Sequence, residues 1–190
     1  MTHESVRENV NNFMNSLLEE GLLEITRVDE RTNSILKNFF KQHYLGSSVL
    51  KKIIVAKGNN SLNLTDDEFS AFIFRFELAT ISKMFELNKI ILKSILKIPI
   101  REKATYGEVL SACFDRLGYD RIRPVMRDIF LLDLRNTISH LGYEINGNDF
   151  TYRDSTGNVV TFDFGRLLDM ESEYLVTTET IVNFLENNIS

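Results

Sequence analysis

The 190-residue sequence has one cysteine, two prolines, three histidines and no tryptophan. A single cysteine, Cys113, excludes a disulfide framework and a thiolate metal cluster. With apolar Leu110 and Phe114 near it, Cys113 is expected to be a small buried core residue. No run reaches the roughly 18 apolar residues that a membrane-spanning helix needs. The most apolar window, 90–100, is interrupted by Lys93, Lys97 and Pro99. The opening Met1-Thr2-His3-Glu4-Ser5 lacks the basic and apolar regions of a secretion signal, so a soluble, cytoplasmic protein is expected. A large excess of one charge is also missing. The net charge of -5 argues against a broad basic surface that grips nucleic acid by charge alone, but leaves room for a local basic site.

Several chemistries have no sequence support. There is no phosphate-cradling Gly-rich loop and no Ser nucleophile motif. No spacing of His, Asp and Glu makes a metal site, so neither metal nor cofactor is expected. Asp66-Asp67-Glu68 reads as a helix start and not as a ligand set. His3 falls in the N-terminal stretch, and His43, after Lys41-Gln42, is expected on an exposed helix end.

What is present is an ordinary globular composition, 43% hydrophobic and 26% charged, at a length that suits one domain. No internal repeat or linker divides it. Three- and four-residue apolar spacing predicts a helix over 5–24 through Val6, Val10, Phe13, Leu17 and Leu18. A second helical stretch over 32–55 should break or bend at Gly46-Ser47-Ser48. Thr65-Asp66-Asp67-Glu68 is a capping box that opens a helix of about thirty residues, stopped near Lys97 by Pro99. Thr105 to Glu108 is a weaker box for a helix to about Leu117. Pro124 suits the first turn of a further helix from Arg123 to about Leu141.

After Gly142 the period changes. Tyr143-Glu144-Ile145, Phe150-Thr151-Tyr152 and the run 159–164 are short β-forming segments separated by turn signals. A last helix should cover residues 166–187. The fold class is therefore mainly α: a helical bundle with a small β-hairpin or flap at about 143–164 before the last helix. Residues 1–190 form one helical domain, with 1–60 either in the bundle or an accessory helical layer on it.

One cluster stands out as chemistry. On a helical wheel, Leu131, Leu134, Ile138 and Leu141 face one side, and Asp133, Asn136 and His140 lie roughly opposite. Arg135 and Ser139 flank that polar strip. A plain solvated face would hold mostly Lys and Glu; this one holds residue types that position and transfer protons. The plainer reading is a polar rim in which His140 helps to cap the negative end of the helix.

The order Arg135-Asn136-Thr137-Ile138-Ser139-His140 resembles the signature of the HEPN family, helical domains of prokaryotic defence and toxin systems. That signature is Arg, four to six residues, then His, very often with Asn directly after the Arg. Here four residues intervene. The family places the motif late in a helix of a small bundle, and many members then insert a short hairpin before the last helix. The resemblance covers residues 123–188 and rests, over 1–100, on long amphipathic helices only.

The resemblance implies a metal-independent endoribonuclease. His140 would serve as general base or acid while an RNA 2′-hydroxyl attacks its own phosphate. Arg135 would hold that phosphate, and Asn136 would orient the imidazole or a phosphate oxygen. Arg127, Ser139 and Tyr143 are candidate RNA-binding residues, Arg127 as part of the basic group Arg121-Arg123-Arg127. Five residues separate Arg135 from His140, about 140° around an ideal helix, so one helix does not aim both at one atom. The family pattern implies a homodimer in which Arg and His of two copies meet at a two-fold axis.

A cognate antitoxin or an activator protein is a further implied partner. Several toxin members carry a Tyr two residues after the His; here Tyr143 comes three after it. Glu77 is either the acidic residue that some members place opposite the motif or a surface carboxylate. Two other readings stand beside the nuclease. One is a non-catalytic module of the same fold that binds RNA or protein or only dimerises. The other is an unrelated bundle with a chance motif.

Overall fold

The computed structural model describes residues 2–25, 29–117 and 131–188, and every described helix but the short one at Leu132–Ser139 starts on a side-chain cap visible in the chain. Helix α1, His3–Glu19, is capped by Thr2 and buries Val6, Val10, Phe13, Met14 and Leu17. It stops five residues before the expected end because Gly21 turns left-handed at φ +67°. The chain then pairs with the end of a later helix. Leu23 bridges Leu96, and the Lys97 amide donates to the Leu22 carbonyl at 2.9 Å.

Helix α2, Glu30–Gly58, starts at Asp29, whose carboxylate accepts from the Thr32 amide. It runs unbroken through Gly46-Ser47-Ser48, where a bend was expected. The reason is close packing: a Cβ on Gly46 would stand 2.9 Å from Phe76 Cζ. The glycine lets two helices approach; it does not end one. Few of the 29 residues are buried, namely Thr32, Leu36 and Leu50.

Helix α3, Asp66–Ile95, has the expected box, with Thr65 and Glu68 each accepting from the other's backbone. Helix α4, Tyr106–Leu117, buries Cys113 as expected, and burial pushes its thiol up to about 12. Helix α5 is short, Leu132–Ser139, and helix α6, Phe164–Asn187, is capped by Asp163. Helices α1 and α3 both lie along α6. The buried side chains of α1, α3, α4, α5 and α6 form one continuous apolar cluster.

Between α5 and α6 stands an antiparallel sheet of order β1-β2-β3, with strands Tyr143–Asn146, Asp149–Arg153 and Val159–Asp163. Phe150 pairs with Ile145 on one side and Phe162 on the other. Its fully buried ring stacks on Tyr143 at 5.0 Å and Phe162 at 4.8 Å, and meets Phe74 of α3 at 6.3 Å. That ring joins the sheet to the bundle. The protein is mainly α with a small sheet before the last helix. No helix among the described residues is long and apolar enough to cross a membrane.

Candidate functional site

Helix α5 carries the Arg-Asn-x-x-x-His segment, and both its ends are unusual. Leu131, its N-cap, sits in the left-handed region at φ 45°, ψ 45° and offers no side-chain cap. An α-helix does not pass through that conformation, so α5 begins at Leu132 and the helix expected over 123–141 does not run through residue 131. Residues 123–130 lie outside the described residues. So does Arg127.

At the other end the helix closes in a Schellman turn. The Gly142 amide donates to the Thr137 carbonyl at 3.0 Å and the Leu141 amide to the Ile138 carbonyl at 3.4 Å. The turn needs a left-handed residue, and that place is filled by Leu141 at φ 53° instead of glycine. Leu141 has thus left the helix and is 75% exposed, although its spacing placed it on the core face. Leu134 and Thr137 are the buried pair, with Leu131 and Ile138 packed partly against them.

The polar residues divide into two groups. Arg135, half-buried, donates from Nη1 to Asn136 Oδ1 at 3.2 Å. Its charge is felt by the fully buried Tyr106 hydroxyl, which meets the Tyr174 hydroxyl at 2.5 Å. Burial first, and then Tyr174, push the Tyr106 phenol well above its ordinary range, with Arg135 opposing. Asp133 accepts from the Ser155 hydroxyl at 3.2 Å, which ties α5 to the β2–β3 turn.

His140 belongs to neither contact. It is the C-cap, exposed, with its amide on the Asn136 carbonyl at 3.0 Å and no imidazole partner among the described residues. Ser139 is exposed beside it. Tyr143 stacks on Phe150, so its ring is part of the sheet packing. Arg135 and Asn136 are therefore brought together within one chain, and His140 stands free at the helix end. Among the described residues no three His, Cys, Asp or Glu side chains converge as a metal site.

Two buried polar groups had weak or no signals in the sequence. The Tyr106–Tyr174 pair continues to Thr178, which donates to Asn88 Oδ1 at 2.8 Å; tyrosines 68 residues apart gave no sign of meeting. The second group joins three helices. Glu77 is only 1% exposed, not a surface carboxylate, and it lies against Glu171. His43 Nδ1 stands 3.5 Å from Glu171 Oε1, so His43 is part of a helix interface and not on an exposed end. Burial chiefly, then the charge of Glu171, raise the Glu77 carboxyl to about 8. Its place among Phe74, Phe76 and Leu78 was the one hint available.

Compared with family models, with curated proteins and with solved structures, the chain matches none.

Proposed function

We propose that this protein is a metal-independent endoribonuclease of HEPN type, acting as a homodimer in which Arg135 of one copy and His140 of the other flank one RNA phosphate. The observation that carries this reading is the division of the motif. Within a chain, Arg135 is held by Asn136, while His140 has no imidazole partner among the described residues and sits exposed beside an outward Leu141. An apolar side chain strained into the solvent next to a free imidazole suits a surface completed by a second copy.

The chemistry follows from the residue types. His140 takes the proton of an RNA 2′-hydroxyl, whose oxygen attacks the adjacent phosphorus. The bond to the 5′-oxygen breaks, and that oxygen leaves with the proton returned by the His140 imidazolium. Arg135 stabilises the charge gathered on the phosphoryl oxygens. The products are a 2′,3′-cyclic phosphate and a 5′-hydroxyl. Ser139, and Arg127 beyond the described residues, are candidate contacts to the RNA strand. A defence or toxin role, held in check by an antitoxin or released by an activator, fits a nuclease of this kind in the cytoplasm.

The test is cleavage of a mixed RNA pool with EDTA present, comparing wild type with Arg135→Ala and His140→Ala. Wild type is expected to leave cyclic phosphate ends, and each variant to lose about 100-fold or more. Equal cleavage by all three would overturn the assignment. No cleavage by folded wild type would favour the second reading, a non-catalytic binding or dimerisation module. The contact of Arg135 with Asn136, and its position near buried Tyr106, are what support that alternative.

A further inference from the structure

Helix α2 differs in charge from the rest of the molecule. It carries Arg31, Lys37, Lys41, Lys51, Lys52 and Lys57 against Glu30 alone, a balance of +5, so the other residues carry -10. Lys57 is committed to Asp66 at 3.0 Å. Lys37, Lys41, Lys51 and Lys52 are exposed and have no acidic partner among the described residues. The same helix holds six exposed large apolar residues, Ile35, Tyr44, Leu45, Val49, Ile54 and Val55, at 37% to 75% exposure, with Phe72 of α3 also exposed.

The lysines and four of these apolar residues share one face. At 100° per residue, Lys37, Lys41, Tyr44, Leu45, Val49, Lys52 and Val55 fall within about 140° of the circumference, turned away from buried Leu36 and Leu50, while Ile35 and Ile54 lie on other sides of the helix. Cations and aliphatic side chains interleave along it. An occupant has to satisfy both.

We infer that the outward face of α2 is a docking surface for an acidic amphipathic segment of another protein, whose carboxylates meet the lysines while its apolar side chains cover Leu45, Val49 and Val55. RNA would answer the lysines and stack on Tyr44, but would leave the aliphatic side chains in water. A bilayer would accept those side chains, but Lys41 and Lys52 stand in the middle of the face and not at its margins. Pairing with a second α2 would set +5 against +5. Only an acidic, apolar partner gains on both counts. This inference stands apart from the ribonuclease reading, since it uses no residue of α5.

Because the chain has no tryptophan, Tyr44→Trp places a single reporter on the face. The probe is a synthetic helical peptide of Leu on one face and Glu on the other, titrated into the full chain. A saturable blue shift is expected, weakened at least tenfold by Lys41→Glu with Lys52→Glu, and absent with a Leu/Lys peptide of equal length. Both lysines are exposed, so an unchanged melting temperature confirms that the double variant folds. No shift up to millimolar peptide overturns the proposal, and so does an equal response to the Leu/Lys peptide. A response confined to phosphatidylserine vesicles or to a 20-nucleotide poly-U strand would assign the face to membrane or nucleic acid instead. A mass that rises with protein concentration and is abolished by the lysine substitutions would assign it to a second copy.

Discussion

The hydroxyls of Tyr106 on α4 and Tyr174 on α6 meet at 2.5 Å inside the core, near enough to Arg135 for Tyr106 to feel its charge. Neither ring reaches solvent, so each hydroxyl depends on protein partners for its hydrogen bonding. Tyr174→Phe removes one side of that bond and is expected to cost about 1–3 kcal/mol. Removing both hydroxyls, with Tyr106→Phe as well, should cost less than the two single effects added, because the bond that the pair shares is lost only once. Thermal melts of the three variants check this.

The buried Glu77 carboxyl makes stability depend on pH. Folded, Glu77 keeps its proton to about pH 8; unfolded, it releases it near 4.5. The group's contribution is therefore full below about pH 4.5 and is lost as pH rises toward 8. Melting temperature should fall by about 5 °C between pH 5 and pH 8 on this account. Glu77→Gln cannot ionise, and its melting curve should be nearly flat over the same range. An unchanged slope in the variant would remove Glu77 as the cause.

Leu141 holds the left-handed place of a Schellman turn, where a Cβ costs about 1 kcal/mol. Its side chain is mostly in water, so little packing is lost with it. Leu141→Gly should raise stability by about 0.5–1 kcal/mol, read as a higher denaturant midpoint. If Leu141 also meets a second copy, the same change weakens the dimer. Light scattering over a dilution series would separate the two effects.

The composite site makes a prediction that one chain alone cannot. Arg135→Ala and His140→Ala proteins, inactive apart, should regain activity when mixed and allowed to exchange subunits. Half of the dimers are then mixed, and each has one intact site of two, giving about a quarter of wild-type activity. No recovery in a mixture shown to exchange would place Arg and His of one chain in one site.

The sequence was informative wherever a local rule decides the structure. The Thr65–Glu68 box and the apolar stripes placed the long helices, because caps and three- to four-residue spacing act within one or two turns. The turn residues at 146–148 and 154–158 separated three strands that pair as expected. Glycines were harder to read. Gly46 reads as a breaker in isolation, and only its contact with Phe76 explains an unbroken α2. The motif helix departs from its periodicity at 131 and 141, where left-handed leucines run against the local preference for helix.

By itself, then, the sequence determined the class of fold, the small sheet before the last helix, and the segment Arg135 to His140 as the place to look. These depend on periodicity, capping and residue chemistry, all of them short-range. Tertiary structure alone decided that Glu77 lies against Glu171 beside His43, that Tyr106 meets Tyr174, and that α2 keeps a basic, apolar face in water. Such contacts join residues far apart in the chain. Burial and long-range packing set them, and no pattern of neighbouring residues encodes either.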